Sequence, residues 1–341
     1  MSETFRPSTL GEILDRTAQI YRRNFWLFAG VAALPIGAIF AFTAIGGALF
    51  GAAAVTFRAG GLANPAAIAL VVLIIFIAVP VYIAAAVFSS AGLTEAAAST
   101  SRGEKITIRG AFKKVTPRFW RYLWFIILQG IVVGLIPAAI AGAVIGVLLF
   151  VGTLAGAGTS TAIAVGFLVF IVVVAAVVVI IELVLGYSIS LPVCVLEKKP
   201  AWDSLKRGWS LSKGTRGRIF VMFLLVMALA MAVSMISAIP SMIIIFTSAA
   251  GGSQPATGSV AFIVAEITRA VLDLVLQVAL APISAIALVL FYYDQRIRKE
   301  GFDIEWMMQQ AGLTPTASQA PTAPALGISG PVAAPDTVEE P

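Results

Sequence analysis

Histidine is absent from all 341 residues, and cysteine occurs once, at Cys194. The first absence removes the commonest general base and the commonest transition-metal ligand. The second excludes an internal disulfide and any cysteine-based zinc site. Charge is scarce as well. Asp, Glu, Lys and Arg make up 12% of the chain, about half of what a soluble domain carries. The sequence holds no nucleotide loop, no Gly-x-Ser-x-Gly and no paired-cysteine motif. An intramembrane aspartyl enzyme needs two aspartates in its spans, and Asp273 is alone there. The chain therefore reads as a protein without enzymatic chemistry, cofactor or metal.

What is present is apolar. Hydrophobic residues make up 60% of the chain and the mean hydropathy is +0.99, the signature of a polytopic membrane protein. Six runs are long enough to cross a bilayer: about 26–50, 66–88, 122–151, 163–195, 219–246 and 261–293. Pro35, Pro80, Pro240 and Pro282 fall inside runs and predict kinks. The net charge of +6 fits a membrane better than nucleic acid as partner. Of 23 Lys and Arg residues, 21 lie in alternate connections: four before the first run, seven in 102–121, seven in 198–218 and three after the last run. The positive-inside rule then puts both termini in the cytoplasm, and the alanine-rich spans with the Pro/Ala tail suggest a bacterial cell membrane. The apolar run nearest the start is too long for a signal-peptide core.

Three basic connections carry helical spacing. Leu10, Ile13, Leu14, Thr17 and Tyr21 share one face, behind a capping-box pair, Thr9 and Glu12. Ile108, Ala111, Phe112 and Val115 repeat the pattern, as do Trp202, Leu205 and Trp209. Asp203 and Arg207 have i, i+4 pairing distance. Gly214 reads as a helix stop and Thr215 as the next cap. Such helices are expected to lie in the headgroup plane at the cytoplasmic side. Each precedes two spans at a period of roughly 95 residues, so the expected fold is all-α, six transmembrane helices in three helical-hairpin units with three amphipathic interfacial helices. Residues 1–23 form the first of these, 24–305 the membrane domain, and 306–341 a Pro/Ala-rich disordered tail.

Several stretches resemble the membrane-domain family named after glycerophosphoryl diester phosphodiesterase. They are Leu10-Gly-Glu-Ile-Leu-Asp-Arg-Thr17 with Tyr21-Arg-Arg-Asn-Phe25, Val195-Leu-Glu197 with Ser204 to Gly214, and Tyr293 to Asp303. The resemblance implies a multi-span domain of largely unassigned role. It does not carry over the phosphodiesterase activity, which needs histidines and a carboxylate cluster on a soluble barrel.

The sharpest candidates are charges inside the runs. Glu182 lies in the fourth, and Glu266, Arg269 and Asp273 share one face of the sixth. A central charge costs roughly 2.5–3.5 kcal/mol on insertion scales. Glu182, Arg269 and Asp273 therefore form either a midspan polar site for a proton, an ion or a lipid headgroup, or a structural Arg269–Asp273 ion pair beside a Glu182 that stays protonated or hydrogen-bonds a neighbour. Gly130/Gly134 and Gly142/Gly146 are GxxxG pairs that permit close helix approach. Two functions follow: a non-catalytic module that organises lipids or partner proteins, or a transporter or channel built on the three charges. The expected partners are the bilayer, anionic headgroups at its cytoplasmic face, and a partner protein or second copy.

Overall fold

The structure, a computed structural model, describes residues 8–60, 65–154, 156, 158–250 and 260–300. Gly301–Asp303 and the Pro/Ala-rich tail lie outside them. Among the described residues the fold is all-α, with no strand. The helices in chain order are α1 (Leu10–Arg23), α2 (Phe25–Gly60), α3 (Pro65–Ser101), α4 (Ile108–Val115), α5 (Phe119–Gly130), α6 (Ile136–Leu154), α7 (Thr159–Tyr187), α8 (Ser190–Leu196), α9 (Ala201–Ser212), α10 (Arg216–Ser237), α11 (Ile239–Ala250) and α12 (Val260–Glu300). Among the described residues, six helical segments are long and apolar enough to span a bilayer, so this is a multi-pass membrane protein. A short helix followed by a span hairpin occurs three times: α1 with α2 and α3, α4 with α5–α7, and α9 with α10–α12.

Helix starts follow the local chemistry. The capping box forms: Glu12 N donates to Thr9 Oγ1 at 3.3 Å, and Thr9 N donates to Glu12 Oε2 at 2.7 Å. Gly214 ends α9 at a φ of +81°, where a side chain would be strained. Thr215 takes the N-cap position but turns its hydroxyl to Gln295 instead of its own helix. Some boundaries differ from expectation. Residues 51–60, expected as loop, continue α2, because this alanine-rich stretch is a good helix former. The fifth span breaks at Ala238, and Pro240 sits in the first turn of a new helix, where its missing N–H costs no hydrogen bond.

The core sits at one end of the bundle. At 1.5 Å per residue, α12 is roughly 60 Å long, twice the bilayer's hydrocarbon thickness. Its first half is lipid-length; its second half continues into a layer built with α1, α4, α8, α9 and the ends of α2, α3, α5, α7 and α10. Phe28, Ala97, Phe125, Val193, Met222 and Phe291 are fully enclosed there. Beyond it, Phe76, Ile140, Phe167, Met231 and Val264 face outward, as lipid-facing side chains do. We call this layer the basic end.

The three short helices turn their apolar faces onto the span ends. In α1, Ile13 and Thr17 are buried against α12. In α4, Ala111 and Val115 are buried, and Phe112 lies edge-on to Phe88 at 6.0 Å. In α9 the buried face is largely small: Ser204, Gly208 and Ser212 at every fourth position, beside Leu205 and Leu211. Trp202, expected on that face, points outward beside Lys206. Gly208 explains the choice: a Cβ there would meet Ser190 Cα at 2.6 Å. Gly186 serves the same end, giving Trp209 its place. The GxxxG glycines Gly130, Gly134, Gly142 and Gly146, by contrast, meet nothing within 4 Å.

The α6–α7 part of spans three and four stands apart. Helices α6 and α7 pack on each other along the membrane, and α7 joins the rest of the bundle chiefly through α9 and α10 at the basic end. Just before α6, Ile131–Leu135 form a π turn.

Candidate functional site

Four consecutive residues of α12 organise the basic end. Successive helix residues point about 100° apart, so Tyr292, Tyr293, Asp294 and Gln295 radiate in all directions, and all four are buried. Each reaches a different element. The Tyr292 hydroxyl donates to Glu197 Oε1, past the end of α8, at 3.0 Å. Arg102, past the end of α3, donates from Nη1 to the Tyr293 hydroxyl at 3.1 Å. Thr215 donates to Gln295 Oε1 at 2.6 Å.

Asp294 carries the densest set of bonds. Its side chain is 2% exposed. It accepts from Ser8 N at 2.7 Å, Arg218 Nη1 at 3.2 Å and Arg298 Nε at 3.0 Å. Both arginines also donate to the Ser8 carbonyl, at 2.6 and 2.8 Å. Buried carboxylate oxygens need such donors to replace the hydration they lose. Beside it lies a cavity of about 20 Å³ lined by Ser8, Ile13, Arg16, Ser101, Tyr293 and Asp294, among others. That is room for one water.

Glu197 anchors a second cluster. It pairs with Arg207 and with Lys199, and Arg207 continues to Glu300, which Arg296 also reaches. Burial alone pushes the Glu197 carboxyl up; Arg207, Tyr292 and Lys199 outweigh it and hold it below the ordinary value of 4.5. Glu104 is also lowered, chiefly by its bond from Arg102. Arg207 therefore takes Glu197 and Glu300 as partners and not Asp203, its i, i+4 neighbour. Attraction is stronger to the more enclosed carboxylate. Lys299 donates to the carbonyls of Ser210, Leu211 and Lys213, closing the end of α9.

The charges singled out in the sequence fall in two places. Arg269 and Asp273 meet along α12 at 3.8 Å, with side chains 45% and 36% exposed. Glu266 accepts from Ser241 of α11 at 2.8 Å. Glu182 pairs with neither Arg269 nor Asp273; its partner is Arg216, the first residue of α10, at 3.1 Å. Helix α7 ends at Tyr187, and the residues counted as the rest of span four form the separate, buried α8. Glu182 therefore lies some 35 Å along its helix from Thr159, five residues before the end of α7.

The residues that organise the basic end, Glu197, Tyr292, Asp294 and Gln295, were not among those candidates. One signal was available: Asp294 and Gln295 interrupt α12 directly after its apolar run. Among the described residues, no three His, Cys, Asp or Glu side chains gather as metal ligands would.

Residues 159–310 match the family described as the membrane domain of glycerophosphoryl diester phosphodiesterase. No curated protein and no solved structure matches the chain. The matched stretch begins at α7 and includes Glu197, Arg207 and the Tyr292–Gln295 turn. The chain resembles the membrane domain of that family and not its catalytic part.

Proposed function

We propose that this integral membrane protein is a non-catalytic module of a bacterial inner membrane, with both termini cytoplasmic, which gathers anionic headgroups around its basic end. The observation that carries this reading is a division among the charges. The buried carboxylates are matched by their own arginines. Lys105, Arg109, Lys113, Lys206 and Lys213 remain exposed with no ion pair to any described residue. Near an anionic surface each contributes on the order of 1 kcal/mol.

The test is lipid selectivity. The purified chain is placed in bilayers containing a spin-labelled anionic lipid and its neutral counterpart, and the immobilised fraction of each is measured. Anionic lipid is expected in excess, less so at high salt, and less so in a Lys105→Gln/Arg109→Gln/Lys113→Gln variant. Equal immobilisation of both lipids overturns the reading.

The half-exposed Arg269–Asp273 pair favours a second reading, a transporter or channel working through Glu182, Arg269 and Asp273. It requires solute or ion flux into vesicles that a Glu182→Gln/Asp273→Asn variant abolishes while keeping its helix content. The separate partnering of Glu182 weighs against it.

A further inference from the structure

Glu182 and Arg216 stand where α7 and α10 part. The Arg216 guanidinium lies over the Trp209 ring, 4.0 Å from its centroid. Trp209 is fixed in turn by Tyr187, with ring centroids 5.0 Å apart, and by Gly186, where a Cβ would fall 2.1 Å from the indole. An aromatic platform thus holds the cation in place before anything binds.

The pair has bonding capacity to spare. Arg216 uses Nη1 for Glu182 Oε2 at 3.1 Å. Its Nη2 donates to no described residue, and the other carboxylate oxygen, Oε1, accepts from none. The Glu182 side chain is 56% exposed and that of Arg216 27%. An apolar stripe leaves each of them along its helix. On α7, Val178, Ala175 and Ile171 lie four, seven and eleven residues before Glu182. On α10, Phe220, Leu224 and Met227 lie four, eight and eleven residues after Arg216. These spacings keep each stripe on the face of its charge, and all six residues are exposed. A donor and an acceptor at the basic end, each leading into an apolar track, match one phospholipid.

We infer that the Glu182–Arg216 pair seats a zwitterionic phospholipid bearing a primary amine, its phosphate on Arg216 and its ammonium on Glu182. A guanidinium with free N–H groups suits a phosphate oxygen. The second carboxylate oxygen suits an ammonium that donates hydrogen bonds, which a trimethylammonium has none of. The Trp209 face that would attract a trimethylammonium is occupied by Arg216. The inference rests on the lipid-gathering reading above, but not on its preference for anionic headgroups.

The test uses the full chain in nanodiscs made from equal parts of phosphoethanolamine, phosphocholine and phosphoglycerol lipids with identical acyl chains. Retained lipids are counted by native mass spectrometry after gentle release. The wild-type chain is expected to retain the ethanolamine lipid about threefold over the choline lipid, the preference expected of an exposed charge pair. Glu182→Gln is expected to erase that preference and leave phosphoglycerol retention unchanged. Arg216→Gln is expected to lower retention of both zwitterionic lipids. Equal wild-type retention of ethanolamine and choline lipids overturns the inference without need of any variant. So does a preference that survives Glu182→Gln. Enrichment of phosphoglycerol alone overturns it while leaving the anionic reading standing; retention in the bilayer's own proportions overturns both.

Discussion

Arg218 and Asp294 meet at 3.2 Å, and the other end of the same guanidinium holds the Ser8 carbonyl at 2.6 Å. One side chain at the start of α10 therefore ties Ser8 to α12. Asp294→Ala leaves Arg218 and Arg298 facing each other without their carboxylate. We expect a loss of about 3 kcal/mol, the low end for breaking a buried pair, because both arginines keep access to water. Unfolding in a mixed-micelle denaturant titration, followed by helix content, measures it.

The packing glycines separate two kinds of small residue. Gly208→Ala drives a methyl into Ser190 backbone, and Gly186→Ala into the Trp209 ring. Each should cost roughly 1–3 kcal/mol by overpacking. Gly142→Ala and Gly146→Ala meet open space and should stay within about 0.5 kcal/mol of wild type in detergent. A comparison of the four melting temperatures decides it. Equal effects would mean that α9 does not press on α8 through its small face.

Acid should loosen the basic end. The Glu197 and Glu104 carboxyls lie below their ordinary value of 4.5 in the folded chain. A depressed carboxyl contributes stability that is present above its unfolded value and lost as pH falls through its folded value. Melting temperature should therefore hold near neutrality and begin to fall below about pH 4.5. Glu197→Gln should be less stable at neutral pH and show a shallower fall in acid, measured by scanning fluorimetry across pH.

Two tyrosine hydroxyls should differ in weight. Tyr292 donates to a carboxylate and Tyr21 to the Ala279 carbonyl at 2.7 Å. Tyr292→Phe should cost about 1.5–3 kcal/mol and Tyr21→Phe about 1 kcal/mol. Tyr292→Phe should also raise the Glu197 carboxyl toward its ordinary value, making the acid fall smaller.

The spans and short helices were legible because hydropathy and helical period act over many residues, so local errors average out. Thr9 and Glu12 were legible because a capping box is a local bond. The partners of Glu182, Arg207 and Asp294 were not. Each is set by which helix lies alongside, and residues 34, 93 and 76 positions away supply the bonds. The buried face of α9 misled for a related reason. Apolar spacing favoured its tryptophans, whereas close contact with α8 selects serine and glycine, a choice that depends on a neighbour the period does not show.

The α6–α7 hairpin is joined to the other spans chiefly at one end, and that has a mechanical consequence. Bilayers of different thickness tilt or straighten helices at a cost of fractions of a kcal/mol per Å. A hairpin with few side contacts along the membrane can follow such a change without parting other helix pairs. Its motion would reach the rest of the protein through α9 and the start of α10.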